Sequence, residues 1–130
     1  MAMSTYWRTH LMSHAFGHEV YEAPANYYVA LSTADPLGDG SGLAEPSGNS
    51  YARVETDAAD WEEVTAFETH NVSLLAFSAA TGSWGTITHF AVFDAASGGN
   101  LLFYGALDSP VAVGNGNQPQ FAAETLSMTH

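Results

Sequence analysis

The sequence contains no cysteine and no lysine, and its only permanently cationic side chains are Arg8 and Arg53. The lack of cysteine excludes disulfides and thiolate metal sites. Against the two arginines stand 14 aspartates and glutamates, which give a formal net charge of −12. Because so few cations cannot neutralise a row of phosphates, we expect no binding to nucleic acid. The same charge disfavours contact with an anionic membrane surface.

Long apolar runs are also missing. No stretch approaches the roughly 20 apolar residues that cross a bilayer, and no basic segment followed by an apolar one marks a secretion signal. Apolar residues still make up 46% of the chain, which is enough for a folded core. We therefore expect one domain, residues 1–130, without a membrane partner. Its acidity has two open interpretations: simple solubility, or adaptation to a saline environment.

The start of the chain has the pattern of a helix over residues 4–16. Ser4 or Thr5 is a good N-cap, because a short hydroxyl side chain can accept a hydrogen bond from a free backbone N–H. Gly17 follows the last apolar residue, where a glycine commonly ends a helix. We expect one N-terminal helix.

From residue 26 to residue 128, short apolar segments alternate with glycine turns, which predicts antiparallel strands. The predicted strands are 26–33, 51–56, 67–78 (as one strand or two), 87–94, 101–108, 111–113 and 120–128. We expect a mainly β domain, a sandwich or barrel of about seven or eight strands. The glycine-rich segment 37–50 is predicted to be a loop, and loops of this length are usually functional or mobile.

The predicted strand 87–94 is apolar on both faces, which is unusual for an antiparallel sheet with one wet side. Strict alternation places Ile87, Ala91 and Phe93 on one face, and Phe90 and Val92 on the other. Two explanations stay open. Either the second sheet covers one face and the helix covers the other, or another subunit buries the second face.

Three histidines recur every four residues at His10, His14 and His18. Imidazoles one helical turn apart can chelate zinc, and Glu22 could add an oxygen ligand. The alternative is a set of partly exposed histidines, because Gly17 is expected to end the helix before His18. We expect no metal site and no cofactor.

Other polar and aromatic groups also have structural explanations. The acidic residues in 57–63 could hold calcium, but they lack the spacing of a calcium loop and are typical of a solvated edge. Exposed tryptophans can stack on sugars, although packing is the commoner role of Trp7, Trp61 and Trp84. Residues 71–73 match a glycosylation sequon. The chain has no hydrolase nucleophile motif, so we expect no catalytic residues and no enzyme activity.

Four segments together resemble a family of small tailed-phage virion structural proteins, often labelled tail fibre proteins. They are 26–36 (NYYVALSTADP), 51–54 (YARV), 83–96 (SWGTITHFAVFDAA) and 98–105 (GGNLLFYG). The resemblance covers nearly the whole chain. It implies a protein made in the host cytoplasm and built into the virion, with no catalytic residues.

Within such a virion we expect a capsid decoration (cement) protein, which binds the outer capsid surface and bridges subunits. The chain lacks the repeats or heptads that give a fibre its length. The alternative is a tail fibre or tail-tip protein involved in host receptor binding. The expected partners are the major capsid protein, or tail proteins in the alternative, and further copies of the chain, for which a trimer is one candidate. The predicted interface residues are Tyr6, Trp7, Leu11, Leu37, Leu43, Phe90, Val92, Leu102 and Tyr104.

Overall fold

The computed structural model of the chain describes residues 2–62, 64 and 68–129. Within these residues lie nine β-strands, the helix α1 (Thr5–Ala15) and a short 3₁₀ helix (Ala58–Asp60). The strands are β1 (Ala2–Met3), β2 (Tyr27–Ser32), β3 (Val54–Thr56), β4 (Glu68–His70), β5 (Leu75–Ala76), β6 (Gly85–Phe93), β7 (Leu101–Val113), β8 (Gln120–Phe121) and β9 (Ser127–Thr129). The expected fold class, mainly β with one N-terminal helix, is confirmed.

A five-stranded antiparallel sheet, in the order β1-β7-β6-β2-β3, forms the centre of the fold. Two small sheets, β4-β9 and β5-β8, accompany it. The predicted strand 67–78 corresponds to two short strands, β4 and β5, and its first residue lies outside the described residues. The predicted strand 120–128 likewise corresponds to β8 and β9, while 111–113 is the end of β7.

Helix α1 is capped as the sequence predicts. The buried Ser4 hydroxyl accepts a hydrogen bond from the Trp7 backbone N–H at 3.0 Å. The helix ends at Ala15 with Phe16 as its C-cap, and Gly17 follows with a φ of +78°, a conformation that glycine adopts without a steric penalty. Trp7 stacks on Phe103 of β7 at a centroid distance of 5.8 Å, so the helix packs against that strand.

One face of the central sheet carries the larger apolar core. Its buried residues include Val29, Leu31, Leu75, Phe77, Trp84, Ile87, Phe90, Val92, Leu102, Phe103, Val113 and Leu126. Phe90 contacts Phe103 and Phe121 edge-on, at centroid distances of 6.4 and 6.2 Å. Strands β5 and β8 and helix α1 all contribute side chains to this side, so it is covered within the chain itself.

The opposite face of the sheet carries a smaller cluster of Ala30, Ala91, Phe93 and Leu101. Leu43, from the long glycine-rich loop, packs against this cluster together with Tyr104. The loop therefore covers the second apolar face. The expectation that the helix does so is wrong, because α1 lies on the side of the larger core.

Irregular pairing between β6 and β7 changes which residues share a face. Ile87 pairs with Val111, but His89 pairs with Ala106, so the register shifts around Thr88. The shift turns Ile87 into the larger core with Phe90 and Val92. Between these two pairs β6 has one residue and β7 has four, residues 107–110. This irregularity breaks the alternation that grouped Ile87 with Ala91 and Phe93.

A buried ion pair ties the long loop to the sheet. The Arg53 guanidinium donates from Nε to Glu45 Oε2 at 2.8 Å and from Nη2 to Oε1 at 2.9 Å. It also donates to the backbone carbonyls of Ala95 and Gly98. The Tyr51 hydroxyl donates to the same carboxylate. Burial, and then this hydrogen bond, raise the pKa of Tyr51.

Candidate functional site

Three of the predicted interface residues lie inside the molecule. Phe90, Val92 and Leu102 are almost fully buried in the larger core. They contact other parts of the same chain, and their side chains do not form an outer face. The predicted second-subunit contact at these positions is therefore corrected: β5, β8 and α1 already cover them.

The other predicted interface residues lie nearer the surface. Tyr6, Trp7 and Leu11 are half-buried on α1. Two more, Leu43 and Tyr104, are half-buried against the smaller cluster.

The ninth predicted residue, Leu37, is nearly half exposed, and its φ of +64° is one that a branched side chain rarely adopts. These surface residues come from different elements, which meet where the Thr5 backbone N–H donates to the Gly38 carbonyl at 2.8 Å. Leu37 and Leu43 belong to the loop, whereas Tyr6, Trp7 and Leu11 belong to the helix.

The most exposed large apolar side chains near the helix are ones that the sequence analysis did not single out. Met12, Phe16 and Val20 are 61, 73 and 82% exposed. We call these three residues the helix-end patch. Met12 and Phe16 lie one helical turn apart, whereas Val20 lies beyond Gly17, after the helix has ended.

Charges of both signs lie near the helix-end patch. Glu19 precedes Val20 and Glu22 follows it, and Glu19 Oε1 lies 3.0 Å from His10 Nδ1 on the helix. Helix α1 contains no aspartate or glutamate, and it carries Arg8, which is exposed. The other arginine, Arg53, is buried and forms an ion pair with Glu45.

A second apolar feature is a pocket of about 470 Å³ beside the start of α1. Its walls, which we call the aromatic pocket, are Trp7, Tyr27, Ala58, Trp61, Glu62, Val64, Thr69 and Phe103. Trp61 is held in place by a hydrogen bond from its indole N–H to Thr56 Oγ1 at 2.9 Å. Burial raises the pKa of Tyr27. Stacking and apolar contact are the chemistry that such walls offer.

The three histidines that recur every four residues do not share a common site. His10 Nδ1 lies 3.0 Å from a Glu19 carboxylate oxygen. His14 Nδ1 accepts the backbone N–H of Tyr21 at 3.1 Å. His18 follows the end of the helix. Within the described part of the chain, no three histidine, aspartate or glutamate side chains are grouped to hold a metal ion.

The acidic segment and the sequon also have structural roles. Asp57 accepts the N–H of Ala59 and Asp60 accepts the N–H of Asp57, so both carboxylates cap the 3₁₀ helix. Glu63, in the same predicted cluster, lies outside the described residues. Asn71 is fully buried, and its amide is hydrogen-bonded to backbone groups, so in the folded chain it is inaccessible to glycosylation.

Comparison with known families decides the class of protein. A family model described as "Podophage GP4 fiber I protein gp80" matches residues 2–129. The chain belongs to this family. The resemblance to tailed-phage structural proteins is thereby confirmed, and a fibre-type structural component of the phage virion is the class indicated. No curated protein matches the chain. Across the described residues, every helix is too short or too polar to traverse a bilayer.

Proposed function

We propose that this protein is a tail-fibre component of a podophage, located on the outer surface of the virion, with tail proteins as its partners. One observation carries this proposal, the match of residues 2–129 to a podophage fibre protein family. The family description favours the tail-fibre interpretation over capsid decoration, which the lack of fibre-forming repeats had suggested.

The fold suits a module that is attached to a fibre better than it suits the shaft. Its five-stranded sheet is covered on one face by the larger core and on the other by the loop around Leu43. The helix-end patch and the aromatic pocket are two of the apolar surfaces that the described residues expose. The function we propose is contact with virion proteins and with the host receptor, without catalysis.

Immunogold labelling of purified virions tests the location. Antibodies raised against the purified protein should label the tail, and gel densitometry of the virions should give only a handful of copies per particle. Label spread over the capsid shell, with hundreds of copies, would show a decoration protein and would overturn the tail-fibre assignment.

A competition assay tests the contact with the host. Host cells preincubated with excess purified protein should adsorb fewer phages, because the receptor sites are occupied. Preincubation with heat-denatured protein is the matched control. Unchanged adsorption at saturating protein would remove receptor binding from the proposal and leave the protein as a structural fibre component only.

A further inference from the structure

A second pocket, of about 290 Å³, opens between helix α1, the segment that follows it and the start of β2. Its wall includes three half-buried tyrosines, Tyr6, Tyr21 and Tyr28, and two acidic residues, Glu22 and Asp94. We call it the tyrosine pocket. All of its wall residues, and their neighbours along the chain, belong to the described residues. The pocket therefore combines aromatic rings with negative charge.

Strand pairing places Asp94 beside Tyr28. Tyr28 of β2 lies opposite Phe93, the last residue of β6, and Asp94 follows directly. The Asp94 carboxylate is fixed by Asn100, whose backbone N–H donates to Oδ1 at 2.7 Å and whose side-chain amide donates to Oδ2 at 3.0 Å. This negative charge is therefore held at the pocket and is not free to turn into solvent.

The two other tyrosines are held through His10. The centre of its imidazole ring lies 4.4 Å from that of Tyr6 and 5.9 Å from that of Tyr21. Its Nδ1 in turn lies 3.0 Å from a carboxylate oxygen of Glu19. The rings are thus in position before a ligand arrives, which lowers the entropic cost of binding.

The tyrosine pocket is electrostatically negative. Burial raises the pKa of Tyr21, and the neighbouring Tyr6 hydroxyl and Asp94 carboxylate raise it as well. Among the residues that the structure describes, neither Glu22 nor Asp94 forms an ion pair. Arg53 donates to the backbone next to Asp94, but its charge is already paired with another carboxylate. A cation is therefore the ligand that these charges favour.

We propose that the tyrosine pocket binds a small organic cation that carries a quaternary ammonium group, as choline does. The faces of aromatic rings attract such cations, and rings in a partly buried pocket do so more strongly than exposed ones. A quaternary ammonium has no N–H, whereas a primary ammonium brings three donors that need acceptors. The Asp94 carboxylate already accepts two hydrogen bonds from Asn100. The volume of about 290 Å³ suits a small ligand.

Two other classes of ligand fit the tyrosine pocket less well. A metal ion such as calcium needs several oxygen ligands, and in the described part of the chain no three histidine, aspartate or glutamate side chains are grouped to hold one. A neutral sugar stacks on aromatic rings, but it has no charge with which to neutralise the two carboxylates. The net charge of −12, by contrast, draws a cation towards the protein.

An NMR titration of the purified full chain with choline chloride tests the site, with sodium chloride lowered in step so that the ionic strength stays constant. Choline should bind saturably and should shift the signals of residues 21–28 and 94. The matched ligand is 3,3-dimethylbutan-1-ol, which has the same shape with a neutral carbon in place of the nitrogen. Its affinity should be lower by about tenfold or more, because the attraction between the cation and the rings is lost.

Variants test the rings and the charges of the pocket separately. Tyr21→Leu removes a ring and should weaken choline binding by about tenfold, whereas Tyr21→Phe keeps the ring and should bind like the wild type. Glu22→Gln, at an exposed position, should weaken binding by about threefold. Asp108→Asn is the matched control, since it removes an exposed carboxylate outside the pocket and should leave the affinity unchanged. Circular dichroism should show that each variant is folded.

The cation site is refuted by a titration without saturation, by equal affinities for choline and the neutral alcohol, or by a Tyr21→Phe variant that binds as weakly as Tyr21→Leu. Methyl glucoside that binds more tightly than choline at the same residues would show a carbohydrate site instead. Once choline binding is established, phosphatidylcholine vesicles identify the source of the group. Cosedimentation with them assigns it to a lipid headgroup, and its absence assigns it to a free solute. None of these measurements involves the virion, so their outcome is separate from that of the fibre assignment.

Discussion

Replacing Glu45 with alanine is expected to destabilise the fold strongly. The carboxylate is the partner of Arg53, whose side chain is only 4% exposed. The guanidinium also lies 3.9 Å from the centre of the Phe93 ring and donates to two backbone carbonyls. It cannot move into water without breaking those contacts. The Glu45→Ala variant must therefore keep a buried positive charge without its counter-ion.

The magnitude follows from that geometry. Removing one partner of a buried ion pair costs about 3–5 kcal/mol of unfolding free energy. The hydrogen bond that the Tyr51 hydroxyl donates to Glu45 is lost as well. For a chain of this length, a loss of about 4 kcal/mol lowers the Tm by roughly 10–15 °C.

Urea denaturation of the wild type and of matched variants measures this loss. Asp108→Ala removes an exposed carboxylate on β7 and should change the free energy of unfolding by less than about 0.5 kcal/mol. The double variant Glu45→Ala/Arg53→Met should be more stable than Glu45→Ala, because no unpaired charge remains. A Glu45→Ala loss below about 1 kcal/mol, or additive effects in the double variant, would refute the reasoning.

Three further changes test other parts of the fold. Asn71→Ala should cost about 3 kcal/mol, since its buried amide makes hydrogen bonds to three backbone groups, whereas the exposed Asn115→Ala should be nearly neutral. Gly42→Ala should destabilise by about 2 kcal/mol or more, because its Cβ would overlap the backbone carbonyl of Asp35, just before the loop, while Gly114→Ala has room. Burial raises the pKa of Tyr51 above its ordinary 10.0. Below pH 10 the tyrosine is neutral in both states, and its stabilising contribution is complete. Above pH 10 the tyrosine of the unfolded chain ionises first, so the free energy of unfolding falls by up to about 1.4 kcal/mol per pH unit.

Chemical denaturation checks the first two of these, and a pH series of the same titrations checks the third. Equal losses of unfolding free energy in Asn71→Ala and Asn115→Ala would show that the hydrogen bonds of the buried Asn71 amide do not stabilise the fold. A stable Gly42→Ala protein would contradict the close packing of the loop. In the Tyr51→Phe variant, the fall of the unfolding free energy with pH above about pH 10 should be smaller by the contribution of one proton. An unchanged slope would show that Tyr51 ionises alike in both states.

The local signals in the sequence predicted the helix well. Ser4 and Gly17 mark its two ends. Ser4 caps the start through its own hydroxyl, and Gly17 ends the helix because glycine readily adopts a left-handed backbone conformation, so both signals are visible in the sequence. Strand β1 was not predicted. Its two residues pair with Tyr104 and Phe103, about 100 positions away in the sequence, and no local pattern in a two-residue strand specifies such a partner.

The faces of the central strands were predicted only in part. The alternation rule holds from Phe90 to Phe93, but it fails at Ile87 because the bulge at Thr88 breaks the period of two. The prediction of which side chains reach the surface was limited for a similar reason. Burial of Phe90 depends on which elements cover the sheet, and this is decided by packing between distant segments.

The loop 37–50 shows another limit of sequence reasoning. Its glycines correctly predicted an irregular segment, whereas its role as the cover of the second sheet face depends on Leu43 and on the Glu45–Arg53 pair. An acidic and a basic residue eight positions apart give no sign of pairing in the sequence until the segment before β3, which contains Arg53, is placed in the fold. The resemblance to phage structural proteins, which used whole segments, was the more reliable guide to function.

Cryo-electron microscopy of the intact virion tests the central claim, that this chain is a tail-fibre component, most directly. The account predicts density for a five-stranded sheet with one short helix in the fibres attached to the tail. The same density repeated over the capsid shell, with none in the tail, would contradict it.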